Sequence, residues 1–287
     1  VWRLFARHYP LFRGTPTRLW HDWVHAGIFG LTERLDAETA DDAYDTIEAA
    51  LKTASLRPRA LFDRFRIEVL ATTEGPLDPL DSHAAIAASG WQGRVITTYR
   101  PDAVTDPDHP EFAAALERFG ALTGCDVATW AGYLDAHRDR RAFFRRHGAT
   151  ATDHGHPTAT TLDLSRSEAE AVFARVVSGR MQAGDAEAFR GQVLTEMARM
   201  SLDDGMVLQI HPGVHRNHDP RLFAHFGSDR GGDIPVRTDY VTALKPLLNR
   251  FGSEPGLSLI VFTLDETTYA RELAPLAGYY PALRLGA

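Results

Sequence analysis

Cysteine is nearly absent from this chain. Cys125 stands alone among 287 residues, so no disulfide framework and no thiolate metal site can be built. Within Thr-Gly-Cys-Asp it reads as part of a loop before a helix, a small buried thiol rather than a nucleophile. No apolar run is long enough to span a membrane and no secretory signal is present, so no membrane partner is expected. Basic residues are in deficit: Lys and Arg total 31 against 38 Asp and Glu, giving a net charge of −7 and a pI near 6.0. That balance excludes the basic face of a nucleic-acid binder. It does not exclude an acidic small molecule, which a few placed arginines can hold. No glycine-rich fingerprint follows the first strand, which disfavours a dinucleotide fold, and no phosphate-binding P-loop, internal repeat or low-complexity segment occurs. The chain opens on Val1 and closes on a strand-like Leu-Arg-Leu-Gly-Ala. Both ends are expected to be cut rather than finished. A reducing cytoplasm fits the lone thiol.

The chain is 44% hydrophobic, ample for one large core, and one domain of this size is usual for α/β barrels. Residues 1 to about 65 read as helices. Trp2, Leu4, Phe5 and Tyr9, then Leu19, Trp20, Trp23 and Val24, form apolar faces separated by Gly14-Thr15-Pro16, and these aromatics are read as packing. From about residue 66 strands and helices alternate. Strands are expected at 65–73, 94–100, 149–154, 206–211, 257–264 and 282–286. Helices are expected at 80–88, 111–122, 127–146, 165–177, 186–202, 238–251 and 268–277. Ser165 and Glu168 have the spacing of a capping box, and Pro246 should bend the helix it lies in. The alternation predicts an α/β fold with a parallel sheet covered by helices. The strands read as continuous apolar runs, as if both faces were buried.

The chemistry gathers where those strands stop. Their ends are Thr72-Thr73-Glu74, Tyr99-Arg100, Asp153-His154, His211 and Thr263-Leu264-Asp265. Apolar bodies with polar C-terminal tips suit a TIM-type (β/α) barrel, whose active sites lie at that face. Arg100 can hold a carboxylate by two parallel hydrogen bonds, or can pair with Asp102. In Asp153-His154-Gly155-His156-Pro157 the two histidines could bind a metal from one side of an extended strand. Gly155 and Pro157 suggest a turn, and a pair that hydrogen-bonds substrate hydroxyls is equally in view. His211 is the best single metal-ligand candidate, since His215, Arg216, Asn217, His218 and Asp219 follow it at once. Asp265 and Glu266 could hold a hydroxyl but more simply cap a helix.

Six stretches resemble the uronate (glucuronate) isomerases of the amidohydrolase superfamily. They are GTPTRLWHDW, ATTEGPLDPLDSH, TTYRPD, ATDHGHPTA, VLQIHPGVHRNHD and FTLDETTYARELAPLAGYYPALRLG, which span nearly the whole chain in the family's order. The resemblance implies a distorted (β/α)8 barrel with a helical insertion after the first strand. Residues 1–65 would be that insertion and residues 66–287 a barrel segment, within one domain overall. The six strands would be the second to seventh, and the chain a fragment lacking the first and eighth. The family's first-strand His-x-His pair and eighth-strand Asp are absent, so a metal site would lack at least three usual ligands. The activity implied is the aldose–ketose interconversion of D-glucuronate with D-fructuronate and of D-galacturonate with D-tagaturonate, in uronic acid catabolism. His211 would lie beside the metal. Arg100 would engage the substrate, with Asp153, His154, Arg216 and Asn217 as further substrate contacts.

Such an isomerisation moves a proton between adjacent carbons and needs something to polarise the carbonyl. A divalent metal is the natural polariser, and Zn suits histidine and carboxylate ligands. Arg100 would hold the uronate carboxylate that a neutral aldose lacks. Two other functions are carried forward: a metal-dependent hydrolase on the same barrel, and a non-catalytic sugar-acid binding module. Self-association into a homo-oligomer is left open.

Overall fold

The computed structural model describes residues 1–286. Its chain divides into two compact units, one of residues 1–69 and 92–94, the other of residues 70–91 and 95–287. The first unit is helical, with helices at Trp2–His8, Pro16–Gly27, Ala40–Leu51 and Pro58–Arg64. Thr15 caps the second of these by accepting from the Arg18 amide, the role its hydroxyl favours at a helix start. Ala6, Tyr9, Leu35, Ala40 and Ala43 form a small core. Trp2 donates its indole N–H to the Ala40 carbonyl at 2.6 Å. Packing does not account for every aromatic, however. Trp20 and Trp23 remain 67% and 58% exposed, because the helix Pro16–Gly27 buries only His25.

The second unit holds a six-stranded sheet. Its strands are β1 (Val69–Glu74), β2 (Arg94–Tyr99), β3 (Ala151–His154), β4 (Val207–Ile210), β5 (Leu259–Val261) and β6 (Leu283–Leu285). They lie side by side in chain order, and the pairings from β2 through β6 are parallel. Helices fill every connection, as parallel pairing requires. The longest, Asp185–Asp204, buries 13 of its 20 residues. Its Phe189, Val193 and Met197 join Leu208, Ile210, Leu259, Val261 and Leu283 in the main core. Arg141, almost fully buried, is tied to Asp204 at 2.7 and 2.9 Å and to Ser201 at 3.0 Å.

The expected capping box is present: Ser165 and Glu168 each bond the other's backbone at the start of helix Arg166–Val177. The break near Pro246 is sharper than a bend. The helix divides at Leu244 into Tyr240–Ala243 and Lys245–Phe251, with Pro246 in the first turn of the second piece, where its missing N–H costs nothing. The strands are not continuous buried runs. β3 and β4 alternate between partly and fully buried residues, because one face packs on the helices and the other does not, whereas residues 96–99 of β2 are all buried. A short antiparallel ribbon, Val214–His215 with Ile234–Pro235, and helix Pro220–Phe226 interrupt the connection after β4.

Candidate active site

Register decides which side chains meet. Tyr99 aligns with Thr152, Thr152 with Leu208, and Leu208 with Leu259. One step further along, Arg100 falls beside Asp153 and Asp153 beside Gln209; two steps beyond Gln209 on the same face comes His211. Alternate residues share a face, so Thr98, Asp153, Gln209 and His211 point one way while Thr152, His154, Leu208 and Ile210 point into the helix-packed core. The first set, with Ala71, Thr73 and Phe262, lines a cavity of about 340 Å³. A larger groove of about 500 Å³ lies between residues 157–162 and 236–246. It holds Arg237 and Asp239 but none of the converging donors, so the smaller cavity is taken as the chemical site.

At its rim three groups form one network. The carboxylate of Asp153 bridges His211 Nε2 at 3.0 Å and Arg100 Nη1 at 3.5 Å. Arg100 donates from Nε to Asp102 at 2.8 Å, so the simpler pairing expected for that arginine is realised alongside the strand-end position. Burial works against the charge on Arg100, but Asp102 and then Asp153 outweigh it and hold the guanidinium above its usual range. Gly155 sits at the centre. Its N–H points at both oxygens of Asp102 at 3.2 Å. A Cβ there would stand 2.5 Å from Arg100 Nη2, 2.8 Å from Asp102 Oδ2 and 2.9 Å from His211 Cε1. Only glycine leaves room for the three to gather.

The structure therefore brings Arg100, Asp153 and His211 together. His154 is elsewhere: fully buried on the opposite face of β3, it shares a hydrogen bond with Thr152 at 3.1 Å and does not line the cavity. Burial, then the charges of His156 and Arg141, push its pKa well below the usual imidazole value. His156 is also buried and also lowered, with Asp102 opposing the shift. Arg216 and Asn217 belong to the ribbon loop. Arg216 faces Asp233 at 3.3 Å and Asp229 at 3.8 Å. Asn217 takes a left-handed backbone with φ 53° and donates its amide to Asp233 at 2.9 Å. Neither lines the cavity. Asp265 caps the short helix Glu266–Thr268 by accepting from the Thr267 amide, as the simpler expectation had it.

Three residues that the strand-end argument passed over belong here. Asp102 holds Arg100, and Thr98 and Gln209 line the cavity. The signal was available for the last two, since each lies two residues before a chosen strand-end group and so shares its face.

Two donor sets are suited to a metal. His211 and Asp153 offer an imidazole and a carboxylate in the cavity. Asp102, His154 and His156 form a three-donor group whose ligand atoms lie within 4.8 Å of one another. No helix among the described residues is long and apolar enough to cross a membrane.

The family model for glucuronate isomerase matches residues 1–284. The uronate isomerase of Xanthomonas axonopodis pv. citri (strain 306) is 66% identical over 286 residues, and that of Mesorhizobium japonicum 63%; each match covers 100% of this chain and 61% of the relative. Among solved structures, glucuronate isomerase from Caulobacter crescentus aligns with a TM-score of 0.96 at 60% identity, covering 99% of this chain and 60% of its own. Uronate isomerase from Thermotoga maritima aligns at 0.91 and 25% identity, covering 100% and 63%. The chain thus spans about 61% of the length of the curated relatives it matches.

Proposed function

Because the chain belongs to the glucuronate isomerase family, we propose that the protein carrying it is an aldose–ketose isomerase of uronic acids. Its substrates are D-glucuronate, converted to D-fructuronate, and D-galacturonate, converted to D-tagaturonate. In this reading the six strands are the second to seventh of a (β/α)8 barrel, residues 1–65 are a helical insertion, and residues 66–287 are the barrel segment. Two features support the barrel. The strands follow one another in chain order without the reversal that marks doubly wound sheets, and one face of the sheet lines the cavity while the other packs into the main core.

The observation that carries the functional reading is the Arg100–Asp153–His211 network around Gly155. Asp102 engages Nε of Arg100 and Asp153 faces Nη1 at 3.5 Å, so a substrate carboxylate would be gripped by the remaining Nη hydrogens of the guanidinium. That fixes one end of an open-chain uronate and delivers its carbonyl end into the cavity. Asp153 fixes the orientation of the His211 ring through Nε2. Thr98 and Gln209 supply hydrogen-bonding groups for sugar hydroxyls. His211 and Asp153, 3.0 Å apart, fit a Zn-type cation in donor chemistry and would be the cavity's contribution to its ligands. When bound, such an ion supplies Lewis-acid polarisation of the substrate carbonyl. Cys125, only partly buried, needs no oxidised partner, and the activity is assigned to the cytoplasm.

The test is turnover. The protein is incubated with D-glucuronate and, separately, with ester, lactone and amide substrates. Formation of D-fructuronate is the expected result. Hydrolysis with no isomerisation overturns the reading and favours a hydrolase on the same scaffold.

A further inference from the structure

Two buried histidines take no part in the cavity chemistry. His154 and His156 are 0% and 3% exposed, and each has an Nδ1 with no hydrogen-bond partner. A buried polar atom left unmade costs roughly 1–3 kcal/mol, so two side by side call for an explanation. Their other nitrogens are both engaged: His154 Nε2 lies 3.1 Å from the Thr152 hydroxyl, and His156 Nε2 lies 3.4 Å from the Thr105 hydroxyl. Thr152 directs its own hydrogen at the Val207 carbonyl. Its oxygen therefore accepts from His154 Nε2, which leaves the lone pair on Nδ1. An outer nitrogen donating to a fixed oxygen while the inner one is bare is the arrangement that metal-ligating histidines adopt.

The geometry points to a cation site separate from the cavity: Asp102, His154 and His156 bind a divalent d-block ion of the Zn class between the end of β3 and the short helix Asp102–Thr105. The donor atoms lie within 4.8 Å of one another. The imidazole rings have centroids 5.8 Å apart and planes at 88°. Two imidazoles sharing a tetrahedral ion, with metal–nitrogen distances of about 2.0–2.1 Å, have centroids roughly 5 Å apart, so a small inward movement completes the shell. Two imidazoles select against Mg²⁺ and Ca²⁺, which prefer oxygen. Asp102, partly exposed, gives the ion its way in. Because the same carboxylate holds Arg100 Nε and the Gly155 amide, the ion ties the loop after β3 to the arginine and acts by positioning it.

The site is tested by titrating metal-free protein with Co²⁺ and following its visible absorption, with no uronate present, so the outcome is independent of the isomerase reading. One equivalent that depends on His156 and Asp102 is expected to bind. His156→Gln and Asp102→Asn are each expected to weaken binding roughly tenfold or more, with folding checked by circular dichroism. Asp102→Asn, at a partly exposed position, serves if His156→Gln does not fold. The cavity pair His211 and Asp153 can hold a second ion, so His211→Asn is expected to remove no more than that second equivalent and to leave the one that depends on His156 and Asp102. No absorption with the unmodified protein overturns the proposal. So does retention of every equivalent in folded Asp102→Asn, or loss in His211→Asn of the same equivalent that His156→Gln removes.

Discussion

Gly155 is the residue on which the site's geometry turns. Arg100 and Asp102 follow β2 and His211 follows β4, and the three gather because nothing projects from that position. Gly155→Ala pushes a methyl group against a guanidinium tip, a carboxylate and an imidazole. Displacements on the order of 1 Å at a reacting centre cost roughly a hundredfold in rate. We expect kcat/KM for D-glucuronate to fall by about that factor while the melting temperature moves only a few degrees, of the order expected for about 1 kcal/mol. Unchanged kinetics would show that the three side chains do not act together. At this scale the sequence was informative for strand-end residues and silent about their orientation. Arg100, Asp153 and His211 stand out in the sequence because each lies at a strand end, and the structure brings their side chains together. His154 was misleading: it ends β3 too, but it follows Asp153 by one position and so points into the core. Parity along the strand, not mere closeness to its end, separates the two.

At the scale of elements, local chemistry predicted most boundaries. The capping box at Ser165 and Glu168 formed as its spacing required. Glu168 is held below its ordinary pKa first by the Ser165 hydroxyl and then by the Ser165 amide. Ser165→Ala removes the acceptor for the Glu168 amide and should lower stability by about 1 kcal/mol, read as a shift in urea midpoint at constant m. A midpoint equal to that of the unsubstituted protein would mean the box contributes nothing. The ribbon Val214–His215 with Ile234–Pro235 left no trace in the pattern, because two-residue strands cannot display a period. Arg216 and Asn217 sit in that ribbon's loop and were drawn toward the site by sequence adjacency to His211 alone. Their observed partners are Asp229 and Asp233. The alternation within β3 and β4 was hidden by Thr, Ala and Gln, residues that read as neither clearly apolar nor clearly polar.

At the scale of the whole molecule, buried neutral histidines set the response to acid. Burial pushes His137 down to about 3, with Arg141 and Arg138 adding to the shift. In metal-free protein His154 and His156 are lowered for the same leading reason. A histidine whose folded pKa lies below its unfolded value of about 6.5 contributes stability that is present above that value. The contribution is lost as pH falls from there toward the folded pKa, because the unfolded chain takes up protons that the folded one refuses. Lowering the pH from 7.5 to 5.5, above the carboxylate range, should therefore lower the urea midpoint. Each such proton contributes a slope of up to about 1.4 kcal/mol per pH unit. A flat profile across that interval would mean these rings are charged or solvated in the native state.

The whole-molecule architecture was the most legible feature, since alternating strands and helices leave few ways to bury the connections. The exposure of Trp20 and Trp23 was not legible, because an amphipathic helix advertises an apolar face without saying what covers it.

The central claim is that Arg100 grips the carboxylate of a uronic acid. It is tested most directly by steady-state kinetics of Arg100→Met on D-glucuronate. Removing a charge-assisted hydrogen-bonding group worth about 1.5–3 kcal/mol should raise KM roughly 10- to 150-fold. A variant whose KM stays at the unsubstituted value would contradict the account.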